Sequence, residues 1–461
     1  MTEEIYDVVV LGGGAGGVAA AIRAAQFGGR VAIVEKNTLG GLCMNRGCIP
    51  FGHMMVASRI LGGLSLAKEM GLNFSSISKD YGALRKRQNE LIDFMRLGVK
   101  STLNKNNIRI IEGTGKIAGR GKIEVAGEVI SCRNIILATG SKWLKPDFPG
   151  ADLKTIITTD ELLREDKLPE RVFLYGRSPW MTEIAQFLNR FGSQTILAAQ
   201  KRNILPGESK TIASRLTKVL KEEGVVIKTQ VEIETATQEK DGIHVLIRSK
   251  EGPESIVVDK IVYIERGAGL NDLGLGTIDL DERSPYLKVT GKMEAGVNGV
   301  YAIGDLTGPQ SRHYSHWAST QGIVAAENAM GENSEISPRA FTRVLFTQPQ
   351  IACVGLTPKE AKEAGYDVLG GTAPLSMNPF GMIISEIDGI VEVVADKKYG
   401  EILGIHIIAK AASEMAGQAV LAIQMEMTVE ELSKISFPHP TLSESLAEAA
   451  RDALGRPIYL P

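Results

Sequence analysis

Apolar residues in the first part of the chain come as short continuous runs closed by glycine, the pattern of strands buried on both faces of a parallel sheet. The cleanest case opens near Ile5. YDVVVLGGG reads as a buried strand entering a turn, VAAAIRAAQFG as a small-residue helix and RVAIVEK as a second strand, which together make a βαβ unit. Residues 171–200 repeat the pattern as RVFLYG, TEIAQFLNRFG and QTILAA. Such an internal echo predicts two nucleotide-type folds in one chain. A third strand, in VNGVYAIGD near Val300, has no complete unit of its own and is expected to return to the first sheet.

From Phe341 onward the texture changes to strands such as IVEVVAD and EILGIHII, bounded by turns and followed by the helical segment SEMAGQAVLAIQM. That reads as a separate α+β domain. The stretch from Ser58 to Asn107, rich in Leu, Lys, Arg and Glu, reads as a helical insertion without chemistry of its own. At 461 residues the chain is long enough for about three domains. The expected divisions are 1–150 with 271–340 for the first nucleotide fold, 151–270 for the second and 341–461 for the last domain.

Composition narrows the function classes. Charged residues make up 23% of the chain and the formal net charge is −2, which leaves no basic field to hold nucleic acid or an anionic membrane. No apolar stretch approaches the ~20 residues of a membrane helix. Residues 1–7 run straight into the first strand without an export-signal pattern. A soluble, cytoplasmic protein is the expectation. Four cysteines in so long a chain cannot form a disulfide scaffold. Cys132 and Cys353 sit in apolar surroundings and read as buried structural residues, and no set of metal ligands is assigned.

Gly12, Gly14 and Gly17 form G-x-G-x-x-G between a strand and a helix, with Glu35 ending the next strand. Strand, helix and acid in register are the context that turns a weak motif into a dinucleotide site. The glycines admit a tight turn and a close backbone approach, the pyrophosphate rests on the helix N-terminus, and the acid takes ribose hydroxyls. The motif alone does not distinguish FAD from NAD. Cys43 and Cys48 follow in GGLCMNRGCIP, residues 40–50. A disulfide across five residues closes too small a loop to stabilise the fold much, so its use is redox. A thiolate at a helix start has its pKa lowered and can attack a disulfide or donate to an oxidised flavin.

The segment at 40–50, together with LATGS at 137–141, AIGD at 302–305, LFTQPQIACVGLTPKEA and SFPHPTLSE, resembles the class I pyridine nucleotide disulfide oxidoreductases of the dihydrolipoamide dehydrogenase type. The resemblance covers nearly the whole chain. It implies an α/β fold with two Rossmann-like dinucleotide-binding domains plus a C-terminal α+β dimerisation domain, and an FAD-dependent enzyme. For FAD it implies contacts from Gly12, Gly14, Gly17, Glu35 and Gly41. Gly115, Thr139, Gly140, Asp305 and His316 complete that set. It further implies Cys43 as the interchange thiol, Cys48 as the charge-transfer thiol, His439 as catalytic base and Glu444 as the carboxylate that orients it. In such a homodimer the histidine arrives from the other subunit. Thr441 with Glu444 also reads as a capping box for the following helix. His53 and His316 read by default as satisfied local hydrogen-bonders.

The second βαβ unit departs from the family pattern. Its loop reads Gly176, Arg177, Ser178, Pro179, Trp180, Met181, with Ser178 and Met181 where glycines belong. Pro179 removes a backbone N–H from that turn, and Gln200 stands where an NAD site has an acid. Phe51 and Gly52 replace the family's Ser-Lys, so Glu183 loses its lysine partner unless His53 substitutes for it. Glu265, Arg266, Gly267, Ala268 and Gly269 stand where the family has a Gly-Arg-x-Pro-Asn stretch. These changes place NAD(P) binding in doubt, while Lys201 and Arg202 keep an NADP reading open. Three functions stay open. The first is a dithiol oxidoreductase, with lipoyl as a candidate substrate and a flavoprotein, deazaflavin or iron-sulfur carrier as electron partner. The second is a conventional NAD(P)-dependent enzyme, and the third a non-catalytic flavin-bearing assembly or sensor subunit.

Overall fold

A computed structural model describes residues 5–309 and 313–460. The first residues, 1–4, read above for targeting character, lie outside the described residues. The chain divides into two compact units. One holds the described residues up to His53 with Tyr81–Lys145 and Glu265–Ser337; the other holds Met54–Asp80, Pro146–Ile264 and the chain from Pro338.

The first unit is organised by a seven-stranded sheet. Its hub is Ile5–Leu11, which pairs in parallel with Val31–Glu35 on one side and Glu128–Leu137 on the other, so that Val9 lies between Ala32 and Ile135. Arg109–Glu112 extends the sheet beyond Val31–Glu35. Val300–Ala302 pairs in parallel with Glu128–Leu137, so the isolated strand near Val300 does return to the first sheet. Strands covered on both faces divide their side chains between two cores. Val9, Leu11 and Ile135 enter one, and Val8, Val10 and Ile136 the other. Burying each such aliphatic side chain stabilises the fold by about 1.5–3 kcal/mol.

The helix Ala15–Gln26 packs against Ser315–Ala329 at backbone contact distance. A Cβ on Gly322 would stand 2.3 Å from Gly16 O, a close approach that suits the small residues of the first helix. The helical insertion resolves into Cys48–Gly62, Leu64–Glu69 and Tyr81–Lys105.

In the second unit Arg171–Gly176 is the central strand of a parallel sheet, flanked by Gln194–Ala199 and Lys260–Ile264. The last domain is a five-stranded antiparallel sheet in the order Thr342–Leu345, Gln350–Gly355, Ile402–Ala409, Ile390–Asp396, Val368–Pro374. One face buries Val354, Val391, Val393, Ile405 and Ile407 beneath the helices Ala412–Gln424 and Glu444–Ala453. On the same sheet Arg343, Cys353, His406 and Glu392 stand opposite one another in register. Arg343 grips Glu208 with two hydrogen bonds of 2.7 and 3.0 Å. Burial pushes the Cys353 thiol well above its ordinary range and Cys132 up to about 12, so both stay protonated and inert, as their apolar surroundings suggested. Among the described residues no helix is long and apolar enough to cross a membrane.

Candidate active site

The nucleotide cradle forms where Ile5–Leu11 hands over to Ala15–Gln26. Gly12 turns the chain at φ +109°, and a Cβ there would sit 2.3 Å from Ala138 O. Gly17 is tighter still, with a Cβ only 1.9 Å from Gly12 O. Gly14 has a different reason to be small: its Cβ would meet nothing nearer than the Gly41 Cα at 3.8 Å, and it would fill the approach to the helix N-terminus. The first-turn N–H groups of a helix lack partners within it and carry the positive end of its dipole, so an anion is favoured there. The Glu35 carboxylate accepts from the Gly13 and Asn37 N–H groups at 2.7 and 2.8 Å, which fixes it at the rim of the turn.

Other expected contacts fall in the same unit. Gly41 opens the short helix Gly41–Arg46 against Gly14. Thr139 Oγ1 donates to Gly269 O at 3.1 Å, and Gly140 O accepts from the Gly269 N–H at 2.8 Å. Asp305 Oδ2 accepts from Ser141 Oγ at 2.5 Å, and Arg266 Nε donates to the same serine at 3.0 Å. His316 is exposed on the first turn of Ser315–Ala329, its ring 5.5 Å from that of Tyr314. Gly115 has a packing reason, since a Cβ there would press on Leu11 at 2.8 Å and Val34 at 3.1 Å. The glycine cradle and the pinned acid fit an FAD.

Cys43 lies in Gly41–Arg46 and Cys48 begins Cys48–Gly62, with Gly47 at the junction. Both are free thiols, Cys43 half-buried and Cys48 exposed. Cys43 is pulled down to about 7, first by the hydrogen bond from Cys48 and, against burial and Asp305, by Ser315 and the Cys48 backbone N–H. The same shared hydrogen bond pushes Cys48 well up. The reduced pair therefore gives up one proton near neutrality and holds the other, the single charge belonging to the pair.

His439 Nδ1 lies 2.9 Å from Glu444 Oε1, and Glu444 Oε2 accepts from the Thr441 N–H at 2.9 Å. A carboxylate on Nδ1 fixes the tautomer that leaves Nε2 as the proton acceptor. The capping-box expectation needs correction. The Thr441 hydroxyl turns back to donate to Pro438 O at 2.7 Å, and the helix Glu444–Ala453 is capped at Ser443 without a side-chain bond. One carboxylate thus serves the backbone and the imidazole together. His439 is largely exposed, in a groove with Met377, Phe437 and Tyr459.

The loop after Gly176 turns three of its N–H groups inward. The Trp180 N–H bonds Ser178 Oγ at 3.4 Å, the Met181 N–H bonds Ser178 O at 3.2 Å and the Thr182 N–H bonds Pro179 O at 3.1 Å. Ser178 is buried in this turn, and the helix Met181–Phe191 starts only after it. At the end of Gln194–Ala199, Gln200 Nε2 donates to Tyr175 OH at 2.7 Å, an amide tied to a phenol where a ribose would need a carboxylate.

Comparison with known proteins decides the family. The model of the pyridine nucleotide-disulphide oxidoreductases matches residues 6–332, and the model of their dimerisation domain matches 341–450. The chain belongs to this family. It is 35% identical over 462 residues to a dihydrolipoyl dehydrogenase of Thermus scotoductus, covering 99% of each chain. It is 31% identical to one of Bacillus subtilis, covering 98% of this chain and 99% of the relative. The crystal structure of LpdA from Mycobacterium tuberculosis superposes with a TM-score of 0.86 at 25% identity, over 96% of this chain and 98% of that one. The Cu(II) complex of RclA, a HOCl-induced flavoprotein disulfide reductase from Escherichia coli, shares the fold with a TM-score of 0.84 at 22% identity, over 97% and 99% of the two chains.

As a pyridine nucleotide-disulphide oxidoreductase the chain is an FAD-dependent disulfide oxidoreductase similar to dihydrolipoamide dehydrogenase, and its dimerisation domain supports a homodimer. The non-catalytic reading is set aside by that membership. Within the family frame two residues escaped the sequence reading. Ser315 Oγ lies 3.3 Å from Cys48 Sγ. Arg59, on Cys48–Gly62, is the cation that acts on Glu183. Glu183 is buried and accepts from the Phe346 N–H at 2.8 Å; burial pushes its carboxyl up to about 7 against that N–H and Arg59. His53 is no satisfied hydrogen-bonder: its Nδ1 is buried without a partner, and burial with the Arg87 charge holds the imidazole below its ordinary value.

Proposed function

We propose that this enzyme moves an electron pair between a dithiol, protein-bound lipoyl being the candidate, and the Cys43/Cys48 pair, and that its other electron partner is not a nicotinamide nucleotide. His439, oriented by Glu444, takes the proton of an incoming thiol. The resulting thiolate attacks Cys43 Sγ, forming a mixed disulfide as the Cys43–Cys48 bond breaks and its electrons settle on Cys48. The second substrate thiol displaces Cys43, which releases the oxidised substrate and leaves two reduced cysteines. FAD, held by the Gly12–Gly17 turn, Glu35 and Asp305, supplies the acceptor for that electron pair when bound. In the homodimer each His439 would serve the cysteines of the other subunit. A flavoprotein, a deazaflavin or an iron-sulfur protein is the class of carrier that would complete the cycle. Every step can run backward.

The observation that carries this reading is the turn after Gly176, where the N–H groups of Trp180, Met181 and Thr182 bond Ser178 and Pro179. The second reading, an NAD(P)-dependent dihydrolipoamide dehydrogenase, is supported by the names of the relatives and by exposed Lys201 and Arg202. Anaerobic mixing with NADH, NADPH or dihydrolipoamide, followed by flavin absorbance, separates the two. Bleaching by dihydrolipoamide alone supports the proposal. Rapid bleaching by either nicotinamide overturns it.

A further inference from the structure

The Ser315 hydroxyl lies against the cysteine pair, and nothing in the family pattern carried over above gives that position a role. Its Oγ is 3.3 Å from Cys48 Sγ, within hydrogen-bond reach of sulfur. The contact is built in by the fold. Ser315 is the first residue of the 15-residue helix Ser315–Ala329. The Ser319 hydroxyl reaches back to Ser315 O at 3.0 Å and to Ala15 O at 3.4 Å, which ties the first turn to the helix behind the nucleotide cradle. Gln321 Oε1 adds a bond from the Gly304 N–H at 2.7 Å, beside Asp305. The serine therefore presents its hydroxyl from a braced turn.

We propose that Ser315 is a third chemical member of the dithiol site: its hydroxyl donates to Cys48 Sγ of the reduced pair, which shares one negative charge with Cys43, and so favours the reduced, singly ionised state over the disulfide. The inference rests on the reading of Cys43 and Cys48 as the redox pair. A thiolate has no proton of its own, so toward it the hydroxyl has to be the donor. A bond to an ionised acceptor is roughly twice as strong as one to a neutral acceptor, and a disulfide sulfur offers only the weak kind. The hydroxyl consequently discriminates between the oxidation states. Ser315 lowers both thiols together with the Cys48 backbone N–H, and at Cys43 it works against Asp305. Arg96, from the helix packed on the cysteine turn, is held instead at Asn45 Oδ1, 2.6 Å away.

The test compares the wild-type holoenzyme with Ser315→Ala and Ser315→Thr. After anaerobic two-electron reduction, the rate of Cys43 alkylation by iodoacetamide is followed against pH by mass spectrometry. The midpoint potential of the cysteine pair is measured at several pH values against a thiol–disulfide buffer. Ser315→Ala is expected to raise the alkylation midpoint by roughly one unit, a tenfold loss of thiolate stabilisation. The same tenfold loss lowers the potential by about 30 mV above that midpoint and leaves it unchanged well below. Ser315→Thr, which keeps the hydroxyl, should restore most of both effects. An unchanged midpoint in Ser315→Ala overturns the inference, and so does a potential shift that is equal at all pH values, the mark of a purely structural role. Dihydrolipoamide turnover of the wild type is scored separately: its absence counts against the proposed function and leaves the thiol titration to judge Ser315.

Discussion

The two βαβ units share one architecture and differ in one turn. In both, register is set by buried strands, Val8 against Val31 in one and Val172 against Thr195 in the other. In the first, Gly14 leaves the helix N-terminus approachable and Glu35 waits at the rim. In the second, Ser178, Pro179 and Trp180 close the turn on itself, and Gln200 is tied to Tyr175. Both sheets bury their aliphatic residues, so the architecture does not depend on the residues of this turn.

If the first unit holds the chemistry, Cys43→Ser should cut dithiol turnover by about a thousandfold or more, with FAD content unchanged in the absorbance spectrum. His439→Gln should cost roughly 10²–10³-fold in kcat/KM by removing the base. The glycines differ in the same way between the units. Gly17→Ala drives a Cβ into Gly12 O, 1.9 Å away, and should cost roughly 3 kcal/mol or more in chemical denaturation, along with FAD. Ser178→Gly should stay within about 1 kcal/mol.

Glu183 gives a pH signature to the second unit. Its carboxyl titrates near 7 when folded, above its usual 4.5, so the folded state holds the proton more tightly. That stabilisation is fully present below pH 4.5 and is lost as pH rises through about 7. Glu183→Gln should remove this decline, on the order of 3 kcal/mol between the two limits, read from denaturation midpoints across the window. The smallest effect expected is a gain. Combining Ser178→Gly, Pro179→Val, Met181→Gly and Gln200→Glu should make NADH reduce the flavin at a measurable rate, roughly tenfold above the parent.

Much of this was legible in the sequence because it is written locally. Continuous apolar runs gave the parallel strands, and the turn residues Gly12 and Pro179 act through their own backbones. The His439–Glu444 pair spans five residues and could also be read. Contacts made across the fold were not legible. Ser315 meets Cys48 from a helix far along the chain, and the charge felt by Glu183 comes from Arg59, seven residues beyond the position where a lysine was expected. The Thr441 capping box failed for a different reason: its hydroxyl had a nearer acceptor in Pro438 O. Nothing in the spacing of His53 told that its Nδ1 would be enclosed without a partner.

Equilibrium titration of the oxidised holoenzyme with NAD⁺, NADH and NADPH, read by flavin and nicotinamide fluorescence, addresses the closed turn at Ser178 most directly. Dissociation constants weaker than about 1 mM for all three, in protein whose FAD stays bound, are the expected result. Micromolar binding of any of them would show that the second unit still accepts a dinucleotide despite its occupied donors.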